Sequence, residues 1–406
     1  MCETNKIKRA LIINTTNNIG STGKLTFNLY NYLNSQGIVA GIIAGKGVED
    51  KKSNQFCISN KMLMKVSGLL ERLSGLVGLF SFCESFRAYR ILKRFNPDCV
   101  FLGNLHGGYI NIFLLYHYIK TKNLKCVQLM WDEFAFSGKC VYTNDCLKYK
   151  DICRNCPCLH FYPTSWFFDC SSILQRIKRR LYDIDHIAFV GAPNTVEKAE
   201  HSTLLKLHKL ITLDEAVDQE KLFFPRNTEQ LRKKYNISED KIVILDVCVF
   251  SNERKGGKYF LELAKRMEDY KDYVFINIGF DGDAKNLPSN FLPIKYVKDQ
   301  ELLSYFYSMS DLYICTSSAD TMPNACLEAL SCGTPICGFN VSGIPSCAEY
   351  PFGKYVELFD VVALQSVVLS TEKKTPLFSK KTREYAQKRF SSSNYNKKLL
   401  SVAEQL

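Results

Sequence analysis

The stretch SSADTMPNACLEALSCGTPICG, residues 317–338, decides the fold. Residues 311–316 (DLYICT) precede it as an unbroken apolar run rich in β-branched and aromatic side chains, which predicts a short buried strand. A helix is predicted to begin near Pro323 and to end at Gly333, because proline favours the first turn of a helix and glycine the position just past its end. Residues 334–339 return as a second apolar strand. The stretch therefore predicts a strand, loop, helix and strand in succession, which is typical of α/β folds.

Two carboxylates, Asp320 and Glu328, lie in this unit. Asp320 is in the predicted loop, next to the unpaired amides and partial positive charge of a helix start. Glu328 lies inside the helix, roughly 7 to 8 Å further along its axis. A sugar nucleotide suits this arrangement, since its diphosphate would lie at the helix start between the two carboxylates. From the spacing alone, Asp320 can equally be a helix cap and Glu328 a solvated residue.

An acidic residue and a Glu separated by seven residues resemble the signature of the retaining glycosyltransferases of family 4. That family has the GT-B fold, an α/β architecture of two Rossmann-like domains whose parallel sheets face a central cleft. The stretch is most similar to the branch that includes colanic acid and other surface-polysaccharide transferases. In that branch Asp is followed by two residues and Pro-Asn, here Thr321, Met322, Pro323 and Asn324.

The resemblance implies a hexosyltransferase-type enzyme that uses a UDP or GDP sugar and retains the configuration of the transferred sugar. It implies that Asp320 contacts the donor sugar in catalysis, that residues 321–324 help to bind the donor, and that Glu328 holds the ribose. The acceptor would be a glycan or a lipid-linked sugar. No cofactor is implied for catalysis.

A basic turn follows the apolar run of residues 241–249, which predicts a buried strand. Its side chains, Arg254 and Lys255, can bind a diphosphate, the first as a planar fork and the second as a point charge. The Arg-Lys-Gly sequence resembles that of the family, which implies that both residues neutralise the leaving diphosphate. The resemblance also places the nucleotide base near Val297.

A glycine-containing turn, NNIGSTGKL, follows the predicted first strand, residues 9–14. Gly20 and Gly23 offer small residues and free amides where a strand meets a helix. The turn lacks the spacing of a P-loop or of GxGxxG, so alone it is weak evidence. The family branch has a similar Gly-Ser-Thr-Gly turn, which implies that Gly20 and Gly23 contact the donor.

His106 and Gly107 follow the predicted strand at residues 98–102. The carboxyl end of a parallel strand is where open α/β sheets bind ligands, although a lone histidine is more often structural. The sequence NLHGGYIN resembles the family branch, which implies an acceptor or sugar pocket here.

Trp131 and Asp132 end the next predicted strand, where the branch normally has His-Asp and the histidine lies at the donor sugar. Tryptophan cannot accept a proton and donates only through its indole N–H. We expect Trp131 to stack on the donor or the acceptor, with Asp132 in the same pocket. The substitution leaves open whether the protein is catalytically competent.

Five cysteines lie within residues 140–158. Four of them, with a CxxC pair, suit a tetrahedral structural zinc site, and Cys158 or His160 could substitute for a ligand. The four are Cys140, Cys146, Cys153 and Cys156. Free thiols are the alternative, because no export signal is recognised that would favour disulfides. The family branch carries similar cysteines, which implies that this loop is structural.

The composition is that of an ordinary folded protein, with 46% hydrophobic and 23% charged residues over 406 positions. Lys and Arg number 53 against 41 Asp and Glu, and the net charge of +12 favours acidic partners. No basic region is interleaved with aromatics in an RNA-binding pattern, so we expect no nucleic acid partner. With no export signal and no long apolar run, we expect a cytoplasmic protein.

One long helical region, Leu63–Phe95, combines leucines with basic residues. A basic amphipathic surface suits the inner face of a membrane that holds a lipid-linked acceptor. Packing of this region on its own sheet is the alternative.

Two domains are predicted. Residues 1–215 form the acceptor-side domain with the cysteine-rich insertion, residues 216–385 bind the nucleotide sugar, and residues 386–406 form a helix that crosses back to the first domain. The alternative to an enzyme is a non-catalytic nucleotide-sugar-binding or scaffold protein of a polysaccharide assembly complex. Trp131 favours this alternative. The absence of an arginine also favours it, because many relatives carry one where Val249 and Phe250 stand here. A sugar phosphorylase or an epimerase acting on nucleotide sugars would have similar sequence features.

Overall fold

The computed structural model describes residues 6–406. The first five residues, where an export signal would begin, lie outside the described residues. The chain divides into two compact units. The first ends at Leu213 and also includes Ser393–Leu406, and the second is Asp214–Ser392. The division falls two residues before the predicted boundary, and the terminal segment assigned to the first unit begins seven residues later than predicted.

The first unit alternates strands and helices. Its elements are β1 (Arg9–Asn17), α1 (Gly20–Ser35), β2 (Val39–Gly47), β3 (Gln55–Cys57), α2 (Lys61–Ser74), α3 (Phe82–Phe95), β4 (Cys99–Leu102), α4 (Ile112–Thr121), β5 (Lys125–Met130), α5 (Ser171–Leu181), β6 (Ile187–Gly191), α6 (Pro193–Glu200) and β7 (Lys209–Thr212). Within residues 6–406 its sheet has seven strands in the order β3-β2-β1-β4-β5-β6-β7, and every pairing is parallel.

The second unit repeats this architecture. Its elements are α7 (Glu229–Lys234), β8 (Ile242–Val247), α8 (Gly257–Arg266), β9 (Tyr273–Ile278), β10 (Phe291–Ile294), α9 (Gln300–Met309), β11 (Leu312–Cys315), α10 (Asn324–Ser331), β12 (Ile336–Phe339), β13 (Gly353–Val356), α11 (Val361–Leu369) and α12 (Pro376–Phe390). In the described part of the chain its parallel sheet has six strands in the order β10-β9-β8-β11-β12-β13. A last helix, α13 (Ser392–Glu404), lies almost entirely in the first unit.

The central strands of both sheets have continuous apolar runs, as is typical of parallel sheets with helices on both faces. Leu11, Ile12 and Ile13 of β1 and Val243 and Ile244 of β8 have no measurable solvent exposure. These central strands form the core of each unit and hold the loops that follow them in fixed positions. The fold is therefore the predicted one, with two Rossmann-like units that each contain a parallel sheet.

In both sheets the order of the strands reverses at a central pair. This pair is β1 and β4 in the first unit and β8 and β11 in the second. In open α/β sheets, ligands bind beyond the carboxyl ends of the strands at this topological switch point. The predicted residues Gly20 and His106 follow β1 and β4, and Lys255 and Asp320 follow β8 and β11. The topology therefore places the predicted residues of each unit at the switch point, where open α/β sheets most often bind ligands.

Three predicted elements differ from the structure. The single helical region Leu63–Phe95 is two helices, because Gly75 adopts a left-handed conformation with φ of 73° and ends α2. The apolar run of residues 292–297 predicts a further strand of the second sheet, but this strand ends at Ile294. The closing helix is two helices, α12 and α13, which are separated at Ser391.

No helix among residues 6–406 is both long and apolar enough to cross a membrane.

Candidate active site

A short turn of 3₁₀ helix, Glu253–Lys255, follows β8 and carries the predicted basic residues. Gly256 ends it with φ of 72°, and a Cβ there would lie 2.1 Å from the carbonyl oxygen of Thr316, so only glycine fits. The Thr316 hydroxyl donates to the carbonyl of Lys255 at 3.0 Å, and the Ser318 amide donates to the carbonyl of Arg254 at 2.8 Å. The basic turn is therefore fixed against the loop that follows β11.

This attachment brings both cations to Asp320. The Lys255 ammonium donates to Asp320 Oδ2 at 2.6 Å, and the Arg254 guanidinium donates to the same oxygen at 3.2 Å. Arg254 also donates to the carbonyl of Ala319. Burial acts to raise the pKa of Asp320, but the charges of Lys255 and Arg254 hold it below its ordinary value. Asp320 is therefore ionised near neutral pH, and the three side chains together carry a net charge of about +1.

The loop between β11 and α10 is tightly packed. A Cβ at Gly343 would lie 1.5 Å from the carbonyl oxygen of Thr321, and the Gly343 amide donates to the carbonyl of Asp320 at 2.8 Å. The Met322 sulfur accepts from the Glu215 amide at 3.2 Å. These contacts keep Asp320 in one orientation, and the sequence did not indicate the part played by Gly343.

Helix α10 begins at Asn324 after Pro323, and no side chain caps its first amides in the described structure. The buried Oδ1 of Asn324 accepts no hydrogen bond from the described residues. An uncapped helix start offers amide donors and a partial positive charge to an anion. The uncapped start of α10 therefore lies in the same loop as Asp320, and anion binding there stays a prediction.

Glu328 lies on α10 and is partly buried. Its Oε2 accepts from the hydroxyl of Tyr307, on α9, at 2.8 Å. Burial and the neighbouring Glu328 raise the pKa of Tyr307 well above its ordinary value, so its hydroxyl remains a donor. Sequence analysis missed Tyr307, because nothing in its local pattern distinguishes it from a core aromatic residue.

Val297, predicted to lie near the base, is in the loop between β10 and α9 and is half-buried. The neighbouring Tyr296 is largely exposed. Nothing in these contacts tests the predicted role.

A buried polar network lies at the end of β8 and on its neighbour β9. Asp246 accepts from the amide nitrogen of Asn277 at 2.7 Å and from the thiol of Cys248 at 3.0 Å. Burial raises the pKa of Asp246 to about 6. The sequence pattern of this segment indicates only an apolar strand.

In the first unit, Gly20 and Gly23 form the first turn of α1 rather than a separate loop. Ile19 precedes the helix and supplies no side-chain cap. A Cβ at Gly23 would lie 2.8 Å from the hydroxyl oxygen of Thr16, so glycine allows the helix to pack closely on β1. Donor contact by Gly20 and Gly23 stays a prediction.

His106 and Asp132 lie close together. The His106 Nε2 is 2.7 Å from Asp132 Oδ2, and its Nδ1 is 3.0 Å from the hydroxyl of Tyr162. Gly107 follows in a positive φ conformation of 99°. The carboxylate and the hydroxyl fix the orientation of the imidazole ring, and Tyr162 was not predicted.

Trp131 is 6% exposed. Its indole N–H donates to the hydroxyl of Tyr395, on α13, at 3.2 Å, and its ring lies so close to Gly103 that a Cβ there would be 2.6 Å away. Little of the ring is accessible for the stacking that we expected from the sequence. In this structure Trp131 holds α13 to the end of β5.

The four cysteines predicted to bind zinc do not form a metal site in this structure. Over residues 6–406 no three His, Cys, Asp or Glu side chains are arranged so that they could hold a metal ion. All four line one small cavity in the cysteine-rich loop. Zinc binding stays a prediction.

A known protein family matches the part of the chain that carries the basic cluster. The model of the family "Glycosyl transferases group 1" matches residues 227–357, which include Arg254, Lys255, Asp320 and Glu328. Residues 227–357 of the second unit are therefore similar to the group 1 glycosyltransferases, within a chain of GT-B fold.

Two curated proteins and two solved structures are similar to this chain. N-acetyl-alpha-D-glucosaminyl L-malate synthase of Bacillus anthracis is 27% identical over 39% of this chain, which spans 44% of that protein. WcaC of Escherichia coli K12, named for colanic acid biosynthesis, is 23% identical over 91% of this chain and 92% of its own. Sucrose-phosphate synthase of Thermosynechococcus elongatus has a TM-score of 0.68 at 15% identity, with 98% of both chains covered. Anabaena HepE in complex with UDP-glucose has a TM-score of 0.66 at 11% identity, with 98% and 100% covered.

Proposed function

We propose that this protein transfers a sugar from a nucleotide sugar to a glycan or lipid-linked acceptor, with retention of configuration, in the biosynthesis of a surface polysaccharide. The observation that carries the proposal is the convergence of Lys255 and Arg254 on Asp320, within 3.2 Å, beside the free start of α10. Two cations and a set of amide donors at one point suit a diphosphate leaving group.

The donor occupies the second unit in this proposal. Its diphosphate displaces part of the ion pairing to Asp320 and takes hydrogen bonds from Lys255, Arg254 and the first amides of α10. Asp320 then accepts from a sugar hydroxyl, and Glu328, held by Tyr307, accepts from the ribose. As the bond from the sugar to the phosphate breaks, negative charge grows on the diphosphate, where the cations stabilise it.

The base and sugar are proposed from likeness alone. A UDP or GDP sugar is favoured because HepE, which shares the fold, was solved with UDP-glucose. A polysaccharide product is favoured because WcaC, which is similar over most of the chain, is named for colanic acid biosynthesis. We propose no metal in the transfer step, and assign any zinc in the cysteine loop a structural role.

The acceptor is proposed to bind the first unit, at His106, Gly107 and Asp132. Asp132 and the Tyr162 hydroxyl each hydrogen-bond one ring nitrogen of His106, so the imidazole is held in one orientation. We propose that this pocket positions the attacking hydroxyl of the acceptor.

A non-catalytic sugar-nucleotide-binding protein is the second candidate. Trp131 favours it, because a buried indole that donates to Tyr395 occupies the position where the resembling enzymes have a histidine. This candidate would bind nucleotide sugars without transferring or hydrolysing the sugar.

A two-stage experiment separates the candidates. Thermal shift with UDP, GDP and ADP sugars identifies the nucleotide, and mass spectrometry then measures hydrolysis and transfer to lipid-linked acceptors. We expect Lys255→Ala to lower turnover at least about tenfold, because one cation at the leaving group is lost. Lys258→Ala is the matched control, since Lys258 lies exposed one turn further on and contacts the Tyr259 ring. Wild-type turnover in Lys255→Ala would overturn the site, and stabilisation without any turnover would favour the second candidate.

A further inference from the structure

Helix α2 has its polar and apolar faces reversed. Its buried side chains are polar or charged, Ser67 at 7% and Glu71 at 5% exposure. Its apolar side chains at a helical spacing of four, three and four residues are exposed: Met62, Val66, Leu69 and Leu73. A helix on the surface of a globular protein normally buries such a stripe and exposes the polar residues. The apolar face of α2 therefore has no covering in the chain itself, as far as residues 6–406 describe it.

An aromatic segment extends this face. Trp166, Phe167 and Phe168 are consecutive and are 45%, 67% and 60% exposed. Isolated exposed apolar residues are ordinary, but three adjacent large aromatic residues next to an exposed apolar stripe form a patch of the kind that marks an interaction surface.

The segment is attached to α2 by specific contacts. The Trp166 amide donates to the carbonyl of Arg72 at 2.8 Å, and the Arg72 guanidinium lies 5.9 Å from the centre of the Trp166 ring. The Cys170 thiol donates to the carbonyl of Ser74 at 3.2 Å. The stripe on α2 and the aromatic residues therefore belong to one continuous surface, which we name the apolar face.

The segment is also held rigidly at its base. The ammonium of Lys139 is buried and donates to the carbonyls of Leu159, Phe161 and Pro163. The Ser165 hydroxyl donates to the carbonyl of Phe168 at 2.7 Å. The aromatic side chains are thus fixed toward solvent rather than free to collapse onto the protein.

Charge distinguishes the occupants that this face could have. Residues 61–95 contain two acidic side chains, Glu71 and Glu84, and both are buried. The basic side chains of the same residues are all exposed: Lys61, Lys65, Arg72, Arg87, Arg90, Lys93 and Arg94. A second copy of this chain would bring the same positive charge and repel the first, whereas an anionic surface is attracted to it. Large aromatic residues beside lysine and arginine are typical of the boundary between lipid headgroups and acyl chains.

We propose that the apolar face inserts into an anionic lipid surface, with Trp166, Phe167 and Phe168 as the anchor and the basic residues of α2 on the headgroups. The protein then lies on the membrane and does not span it. This inference stands on the surface of the first unit and does not depend on the proposed transfer.

Vesicle flotation tests the proposal. We expect the wild type to float with vesicles of phosphatidylcholine and phosphatidylglycerol, much less with phosphatidylcholine alone, and less at high salt. Replacing Trp166, Phe167 and Phe168 by serine should lower the partition coefficient at least about tenfold. The matched control replaces three exposed apolar residues elsewhere on the chain, Leu207, Tyr350 and Leu377, which are 64% exposed or more, by serine.

Fluorescence gives a second readout, because the chain has only two tryptophans and Trp131 is buried. Brominated acyl chains should quench the wild type on anionic vesicles, and Trp166→Phe, which keeps an aromatic side chain, should abolish this quenching. Lys255→Ala should bind vesicles as the wild type does, which separates this test from that of the donor site. Equal partition of the aromatic and control triple variants, or an aromatic triple variant that only changes the oligomeric state, would overturn the proposal.

Discussion

At the scale of single residues, Asp320 is the centre of the site. Lys255 and Arg254 both bind it, so the cations that a diphosphate needs are already held together before a ligand arrives. The ammonium and guanidinium are each about one-third exposed, at 29% and 31%, and remain accessible to an incoming anion. Such preorganisation reduces the entropy that binding must otherwise overcome.

Glu328 gives a test at the same scale. If its carboxylate holds the ribose, Glu328→Ala should weaken binding of UDP or GDP at least about tenfold and should also remove any preference over the 2′,3′-dideoxy nucleotide. Isothermal titration with both nucleotides measures this. Tyr307→Phe should have a smaller effect in the same direction, because the carboxylate stays but loses the donor at 2.8 Å. A Glu328→Ala variant that still prefers the nucleotide with intact ribose would contradict the assignment.

Some residues of the site could be predicted from the sequence and others could not. Asp320 and Glu328 lie within one local unit, so their spacing and the helix signals around them located both on the chain. The ion pair between Asp320 and Lys255 was not predicted, because it depends on β8 and β11 being neighbours, and these strands are far apart in sequence. Tyr307 and Gly343 act through contacts across the fold, which no local pattern records.

At the scale of elements, the reversed helix α2 is where pattern and structure disagree most. A leucine-rich helix predicts burial of its leucines, and here Glu71 is buried instead. Its Oε1 accepts from the Gly78 amide at 2.8 Å, which fixes the chain after α2 ends at Gly75. The sequence indicated an amphipathic region correctly but could not show which of its faces meets the core.

Glu71 predicts a dependence of stability on pH. Burial raises the pKa of Glu71 to about 7 in the folded state, whereas in the unfolded chain it is about 4.3. Protonation of Glu71 therefore stabilises the folded state. This contribution is fully present below about pH 4 and is lost as the pH rises through about 7, and the stability then no longer changes with the charge of Glu71. Glu71→Gln keeps the acceptor oxygen without the charge, so we expect a higher melting temperature than the wild type at pH 8 and little difference at pH 4.

Thermal melts of the variant and the wild type across this range provide the measurement. Glu49→Gln, an exposed position on the same unit, is the control for loss of a negative charge. An equal shift at both pH values, or the same shift in the control, would show that Glu71 does not carry the effect.

At the scale of the whole molecule, two similar units each place polar residues at the switch point of a parallel sheet. Alternating apolar runs and helices made this architecture predictable, since the central strands are buried on both faces. The ends of the helices were less predictable, because single residues such as Gly75 decide them. The assignment of a donor to the second unit depends on one claim, that a nucleotide diphosphate binds where Lys255, Arg254 and the start of α10 converge.

A crystal structure with the nucleotide that gives the largest thermal shift tests this claim most directly. We predict the diphosphate within hydrogen-bonding distance, about 3 Å, of Lys255 and Arg254, and the ribose hydroxyls on the carboxylate of Glu328. A nucleotide bound elsewhere, with Asp320 still paired only to Lys255 and Arg254, would contradict the account.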